Sequence, residues 1–187
     1  MPEYGEKIIV KTWPHSIESL CTYRQFEVLD EKGNQIAKAT SRWIIYSFEK
    51  MRPIRLSDEL KEMYALVDDV VLPNEFEKMD NVSSNADFTY DGIIEFRDVD
   101  VNWHMNNVRY IRKFMEAMSP EFLDKYEVDF YDIQYIHQMK ADDNYTIYVK
   151  KVNEDEYIYN MIKQGNEEGK VNSSAHIKWR RINESNN

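Results

Sequence analysis

A change of side-chain periodicity within residues 98–118 limits the possible folds of this chain more than any other segment does. Asp100, Asn102 and His104 are spaced by two, so extended backbone would place their side chains on one side. From residue 107 onwards the apolar residues instead follow the three-to-four spacing of a buried helix face. The members of this face are Val108, Ile111, Met115 and Met118, widened by Tyr110 and Phe114. The sequence therefore predicts a polar extended segment that leads directly into a helix over residues 107–118.

The start of this predicted helix is a candidate catalytic site. Asn106 or Asn107 is a good N-cap, and a helix N-terminus offers free backbone N–H groups and a partial positive charge. The amides around Asn106 and Asn107 would stabilise the oxyanion that forms when a carbonyl is attacked. His104 is the candidate base because imidazole titrates near neutral pH, with Asp100 orienting it and Asn102 placing substrate or water. The alternative is that Asp100 caps a turn and His104 is a hydrogen-bonded loop residue.

The rest of the chain indicates an α+β fold with two blocks of strands. The strands predicted in the first block are residues 6–12, 20–30 and 34–48. A hairpin turn at 30–34 and a short helix that begins at Ser57 complete this block. Residues 67–85 lack periodicity and are rich in Pro, Asn and Ser, which indicates a connection between domains. The strands predicted around the long helix are residues 89–97 before it and 127–138, 144–152, 155–164 and 170–181 after it.

The composition excludes several classes of protein. A net charge of −10 argues against a general nucleic-acid binder. The single cysteine, Cys21, cannot form an internal disulfide, and the charged residues near Met1 leave no apolar core for a signal peptide, so a cytoplasmic location is predicted. No uncharged apolar run approaches the ~20 residues that cross a bilayer. The sequence contains no Cys/His metal cluster and no Gly-rich phosphate loop, so neither a metal nor an organic cofactor is predicted.

The segment at 100–111, Asp-Val-Asn-Trp-His-Met-Asn-Asn-Val-Arg-Tyr-Ile, resembles the second-domain motif of acyl-ACP thioesterases. These are the double hot-dog enzymes of plant plastids and many bacteria. Upstream, residues 11–13, 41–44 and 52–56 resemble the later part of the family's first domain. Downstream, residues 120–127 resemble the stretch that follows the family's second hot-dog helix. The resemblance covers nearly the whole chain.

The resemblance implies two hot-dog domains, in each of which an antiparallel sheet wraps a central helix. Residues 86–183 would form one complete domain, and residues 1–66 an incomplete copy that lacks its initial strand and central helix. Residues 67–85 would link them, and residues 184–187 would form a disordered tail. Without that helix, apolar residues of the first sheet are expected to lie uncovered, which favours a homo-oligomer or aggregation. These residues are Val10, Phe26, Val28, Trp43 and Ile45.

The resemblance also implies which residues form the site. Asp100, Asn102 and His104 match the family's catalytic Asp, Asn and His. The family places a Glu on the strand after the second helix, and the alignment puts Gln138 at that position. Glutamine can hold a water molecule but cannot accept its proton. The proton would therefore go to His104 or Asp100.

The implied reaction is hydrolysis of the thioester bond of fatty acyl-ACP, which releases free fatty acid and acyl carrier protein. The carrier is acidic and so is this chain, so docking requires a local basic patch. The candidate residues are Lys50, Arg52 and Arg55 and, on the predicted exposed side of the helix, Arg109, Arg112 and Lys113. Two alternatives stay open: an acyl-CoA thioesterase that uses the same site, and a catalytically degenerate hot-dog protein that binds acyl groups or assembles with partners.

Overall fold

The structure, a computed structural model, describes residues 2, 4–47, 49–76, 78–166 and 170–182. The tail at 184–187, expected to be disordered, lies outside these residues. The chain divides into two units, Met1–Glu77 and Lys78–Asn187. Short helices accompany sheets whose described strand pairs are antiparallel, which confirms the predicted α+β class. No helix in the described ranges is long and apolar enough to cross a membrane.

The first unit is a three-stranded antiparallel sheet, in the order β1-β2-β3, followed by a small hairpin and a short helix. Its elements are β1 Ile9–Glu18, β2 Cys21–Leu29, β3 Gln35–Ile44, β4 Tyr46–Ser47, β5 Arg52–Pro53 and α1 Asp58–Met63. The predicted turn is confirmed: the Asp30 N–H donates to the Asn34 carbonyl at 2.9 Å, and Gly33 has a φ of 86°. Strand β1 runs past its predicted end at residue 12 because Pro14 lies beside a bulge on an edge strand, where a missing N–H is tolerated.

Single buried amide side chains fix the stretch at 67–85, which has no periodicity of its own. In the first unit, the Gln25 Nε2 donates to the Leu72 carbonyl and to the Asn74 Oδ1, both at 3.0 Å. The Gln25 Oε1 accepts from the Leu72 N–H at 3.0 Å. In the second unit, the Asn160 Oδ1 accepts from the Val82 N–H at 2.6 Å. Side-chain hydrogen bonds thus replace the ladder that a strand would make.

The apolar residues expected to lie uncovered on the first sheet divide into two groups. Val10 and Trp43 are more than half exposed. Phe26, Val28 and Ile45 are half-buried, so the prediction that they lie uncovered is wrong for these three residues. Strand order explains the burial of Phe26 and Val28, because both lie on the central strand β2 and are flanked by side chains of both neighbouring strands.

The second unit is a five-stranded antiparallel sheet in the order β6-β8-β9-β10-β7. Its elements are β6 Phe88–Ile93, a 3₁₀ turn Phe96–Asp98, α2 Asn107–Glu116, α3 Pro120–Leu123, β7 Tyr126–Tyr135, β8 Asn144–Lys151, β9 Glu156–Lys163 and β10 Ser173–Arg181. The predicted order of one strand, one long helix and four further strands is confirmed. Helix α2 joins the core of the sheet through Phe114, whose ring centroid lies 5.6 Å from that of Tyr159, and both residues are fully buried.

The buried face of α2 is centred on Tyr110 and Phe114 rather than on the predicted stripe that begins at Val108. Val108 is 70% exposed. It lies two residues from Tyr110, which is about 200° around a helix of 3.6 residues per turn. The apolar spacing predicted the helix correctly but centred its buried face too close to Val108.

Candidate active site

Residues 99–105, here called the site loop, form a tight reversal rather than an extended segment. Val99 and Met105 pair as an isolated antiparallel bridge. Between them the Asp100 N–H donates to the His104 carbonyl at 2.9 Å, and the Trp103 N–H donates to the Asp100 carbonyl at 3.0 Å. Trp103 has a φ of 61°. A turn closed by a left-handed residue is a common three-residue connection. The prediction that extended backbone aligns the polar residues on one side is therefore wrong.

Asp100 caps this turn with its side chain. The Asp100 Oδ1 accepts a hydrogen bond from the Asn102 N–H at 2.8 Å, as Asp commonly does for the residue two positions later. Among the described residues, no hydrogen bond joins this carboxylate to the His104 ring. The geometry therefore gives Asp100 the turn-capping role that the sequence left open beside a catalytic one.

Asn102 and His104 are the loop residues whose polar side chains are available. Asn102 is exposed and His104 is half-buried. Neither side chain is hydrogen-bonded to another residue in the part of the chain that the structure describes. The loop thus presents an amide and an imidazole beside the start of α2, and both can bind substrate or water.

Asp98, which sequence reasoning missed, anchors the site loop to α2. Its side chain is 4% exposed, accepts from the Glu95 N–H at 3.1 Å and lies 3.3 Å from the Lys113 Nζ. Its backbone carbonyl accepts from the Asn106 N–H at 2.9 Å. Glu95 and Asp98, three residues apart, cap this turn reciprocally. They lack the Ser or Thr that begins the usual capping-box signature, so the sequence gives no clear signal for this turn. One buried carboxylate therefore connects the turn before the loop with the helix after it.

This ion pair corrects the predicted position of Lys113. The Lys113 side chain is 10% exposed and also lies 3.4 Å from Glu116, so it is not on the exposed side of the helix. Arg112 is exposed and pairs with Glu116 at 2.9 Å. Arg109 is half-buried, with its Nε 4.0 Å from Asp98. Of the three helix cations, Arg112 and Arg109 stay accessible.

The N-terminus of α2 has fewer free donors than the sequence suggested. Asn106 is the N-cap, as predicted, and its side chain accepts from the Val108 N–H at 3.0 Å. Its own N–H is taken by the Asp98 carbonyl. The Asn107 N–H, by contrast, has no hydrogen bond to any residue within the described ranges. Of the two backbone amides predicted to stabilise an oxyanion, that of Asn107 is the one available.

Gln138 lies in an exposed segment after β7, since that strand ends at Tyr135 and not at residue 138 as predicted. The Met105 N–H donates to the carbonyl of Met139 at 2.8 Å. This bond places the residue that follows Gln138 against the residue that follows His104. The backbone of Gln138 therefore lies close to the end of the site loop.

Tyr110 supports the same contact from α2. Burial raises the pKa of Tyr110 to about 12, while a hydrogen bond with the Met139 backbone opposes the rise. The Tyr110 ring also packs edge-on against Tyr135, with centroids 5.4 Å apart, and the Tyr135 hydroxyl donates to the Asn107 carbonyl at 3.2 Å. Both hydroxyls stay protonated at neutral pH, so they position backbone and carry no charge.

The remaining predicted residues, Lys50, Arg52 and Arg55, lie in the first unit. All three are exposed on or beside the β4–β5 hairpin. None of them forms an ion pair with another described residue, so their charges are available to a partner. In the described residues, no group of three or more His, Cys, Asp or Glu is arranged to hold a metal ion.

Both units match models of known protein families. Residues 82–181 match the protein-family model for the acyl-ACP thioesterase C-terminal domain, and residues 1–64 match that for the N-terminal domain. This chain belongs to the acyl-ACP thioesterase family. The match to the C-terminal domain contains the site loop, α2 and the whole five-stranded sheet.

Two curated relatives are named for different acyl groups. Over 152 residues the chain is 26% identical to the chloroplastic oleoyl-acyl carrier protein thioesterase 1 of Arabidopsis thaliana, covering 76% of this chain and 42% of that protein. Over 147 residues it is 24% identical to the chloroplastic dodecanoyl-[acyl-carrier-protein] hydrolase of Umbellularia californica, covering 75% and 38%. The chain thus spans less than half the length of these relatives.

Solved structures of the family share the fold. The acyl-ACP thioesterase of Bacteroides thetaiotaomicron aligns with a TM-score of 0.81 at 22% identity, over 94% of this chain and 69% of that one. The 12:0-ACP thioesterase of Umbellularia californica aligns with a TM-score of 0.82 at 20% identity, over 97% and 70%. The hot-dog fold that the resemblance implies is confirmed.

Proposed function

We propose that this chain hydrolyses the thioester bond of fatty acyl-ACP and releases free fatty acid and acyl carrier protein. The observation that carries the proposal is the site loop, which presents Asn102 and His104 beside the N-terminus of α2 in a member of the acyl-ACP thioesterase family. The relatives named as acyl-ACP hydrolases support the substrate class.

The chemistry requires little beyond a base and an oxyanion donor. The leaving thiol has a pKa of roughly 8.5, like cysteine, so its departure needs no strong general acid. His104 takes the proton of the attacking water, and Asn102 positions the water or the thioester. The Asn107 N–H, at the positive end of α2, donates to the oxyanion. No metal or organic cofactor enters this scheme.

Gln138 and Asp100 act without accepting a proton. Gln138 holds water through its amide, since glutamine has no acidic form to cycle. Asp100 keeps Asn102 in place through the hydrogen bond from the Asn102 N–H. Proton acceptance therefore rests on His104 alone.

Docking of the acidic carrier would use the accessible cations among the predicted residues. Lys50, Arg52 and Arg55 form one exposed group, and Arg109 and Arg112 form another beside the site loop. Lys113 contributes nothing to this surface because Asp98 and Glu116 hold it in the interior. Such charges mainly accelerate association with an oppositely charged partner.

One observation favours a second candidate, a hot-dog protein that binds acyl groups without hydrolysing them. Gln138 stands where the family motif has a carboxylate, which removes a possible proton acceptor from the site. This candidate predicts saturable binding of acyl-ACP with no release of free thiol.

The test is a thiol-release assay on long-chain acyl-ACP, with acyl-CoA as a parallel substrate. His104→Ala should lower kcat/KM by at least ~100-fold, the lower end of general-base contributions, without loss of folding. His137→Ala is the matched control, because His137 is exposed and its observed hydrogen bonds use only its backbone. Hydrolysis by His104→Ala within a few-fold of the parent would remove His104 from the mechanism. Acyl-ACP binding without turnover by the parent would favour the second candidate, and faster turnover of acyl-CoA would reassign the carrier.

A further inference from the structure

Trp103 adopts a backbone conformation that its side chain disfavours, at the centre of the site loop. Its φ of 61° lies in the left-handed region, which glycine and asparagine enter readily and bulky residues rarely do. Strained backbone of this kind persists only where surrounding structure holds it, and it concentrates at functional sites. The flanking residues are Asn102 and His104, whose side chains position and deprotonate water in the proposed reaction.

The left-handed conformation closes the loop. It allows the Trp103 N–H to reach the Asp100 carbonyl at 3.0 Å while the Asp100 N–H reaches the His104 carbonyl at 2.9 Å. An extended residue at position 103 would point the chain away from Asp100 and break both bonds. The φ of Trp103 therefore sets the direction in which the His104 side chain leaves the loop relative to that of Asn102.

The indole ring supplies an interaction that can hold this conformation. Its centroid lies 6.2 Å from the Phe96 ring, with the two planes inclined at 56°. Such tilted aromatic pairs are favourable beyond the area they bury. Phe96 begins the 3₁₀ turn that ends at buried Asp98, so the ring pair joins the tip of the loop to its anchored base. The rings are otherwise open to solvent, with Trp103 68% and Phe96 72% exposed.

We propose that Trp103 is a positioning residue: its left-handed backbone, held by the Phe96–Trp103 ring pair, sets the geometry of Asn102 and His104. The inference rests on the proposed function of those two side chains. It assigns the ring to the loop and not to the substrate, and this distinction can be measured.

Three substitutions at position 103 separate backbone from ring. Trp103→Phe keeps an aromatic ring, Trp103→Gly accepts the left-handed backbone without a ring, and Trp103→Ala offers neither. The expected order of kcat is Phe, then Gly, then Ala, with Ala reduced by about 10-fold or more, since small misplacements of catalytic groups carry such costs. KM should change little in all three. Val101→Ala is the control in the same loop, because Val101 is almost fully exposed, and it should stay within roughly twofold of the parent.

Phe96→Ala tests the ring pair without altering the backbone preference of residue 103. It should lower kcat as Trp103→Gly does, and the two changes combined should cost less than their product because they remove one interaction. If Gly and Ala impair turnover equally and chiefly by raising KM, the ring contacts substrate and the proposal is overturned. Parent-like activity in all the variants overturns it as well.

Amide hydrogen exchange measured by NMR reports whether the hydrogen bonds of the site loop are formed, independently of turnover. The protection of the Asp100 and Trp103 N–H groups should be kept in Trp103→Phe, partly lost in Trp103→Gly and largely lost in Trp103→Ala. This result would support the proposal for the loop even if the parent failed to hydrolyse acyl-ACP and the proposed function fell. Loss of protection with unchanged kcat would overturn the proposal and leave the proposed function intact.

Discussion

Replacing Lys113 with Met should destabilise the second unit through the buried ion pair with Asp98. The two side chains are 10% and 4% exposed, and their charged atoms lie 3.3 Å apart. Methionine reproduces most of the aliphatic stem of lysine, so packing changes little and the charge is the main loss. The Asp98 carboxylate would then keep the Glu95 N–H at 3.1 Å and Arg109 at 4.0 Å as partners.

The expected size of the effect follows from these surviving contacts. Removing one partner of a buried ion pair typically costs about 3–5 kcal/mol, because the other charge is left uncompensated. The Glu95 N–H and the distant Arg109 offset part of that cost, so a loss of about 2–3 kcal/mol in the free energy of unfolding is expected. Lys150→Met is the control: its pair with Asp87 is 34% and 44% exposed, and such pairs contribute about 0–1 kcal/mol.

Urea unfolding, followed by amide exchange of peptides from β8, β9 and β10, reports on the second unit alone. With a urea dependence of about 1–3 kcal/mol/M, the midpoint for Lys113→Met should fall by roughly 1 M or more. Adding Asp98→Asn should recover part of the loss, because the neutral amide oxygen still accepts from the Glu95 N–H. If Lys113→Met unfolds no more easily than Lys150→Met, the ion pair does not anchor the loop and the reasoning fails.

Three further predictions concern turnover. Asp100→Asn retains an acceptor for the Asn102 N–H and should keep kcat within a few-fold of the parent, whereas Asp100→Ala should lower it by about 10-fold; equal losses would show that the charge is needed. Gln138→Glu should raise kcat on acyl-ACP by supplying a proton acceptor near the loop, and no gain would remove Gln138 from the site. Reversing the charges of Arg52 and Arg55 to Glu should lower kcat/KM for acyl-ACP and flatten its dependence on salt. The same reversal should leave a small acyl thioester without a carrier unaffected, and an equal effect there would indicate a folding defect.

Features of the fold that depend on neighbours in sequence could be predicted. The spacing of apolar residues identified α2, and Asn106 was recognised as a suitable N-cap because capping needs only the two following residues. The turn after β2 followed from Asp30 and Gly33 in the same way. The order of strands around α2 was predicted for the same reason, since each strand carries its own alternation.

Features that depend on tertiary contacts could not be predicted. Lys113 lies three residues after Tyr110, on the buried face of α2, but a lysine at this position gives no apolar signal in the sequence. Its partner Asp98 comes within reach only when the 3₁₀ turn folds back on α2. The prediction of extended backbone in the site loop is wrong for a different reason. Alternating polar residues predict a strand, but the Asp100 side chain supplies its own hydrogen bond to the Asn102 N–H. The left-handed residue that completes the turn is a tryptophan, which gives no glycine or asparagine signal in the sequence.

Asp98 and Asp100, separated by one residue, have different structural roles in this site. Asp98 is buried, and its charge is matched by Lys113 and the Glu95 N–H, so it fixes the turn against α2. Asp100 lies at the edge of the loop, and one of its oxygens is committed to the Asn102 N–H. Because neither carboxylate is hydrogen-bonded to the His104 ring among the described residues, the two carboxylates hold the backbone of the loop and neither of them orients the imidazole.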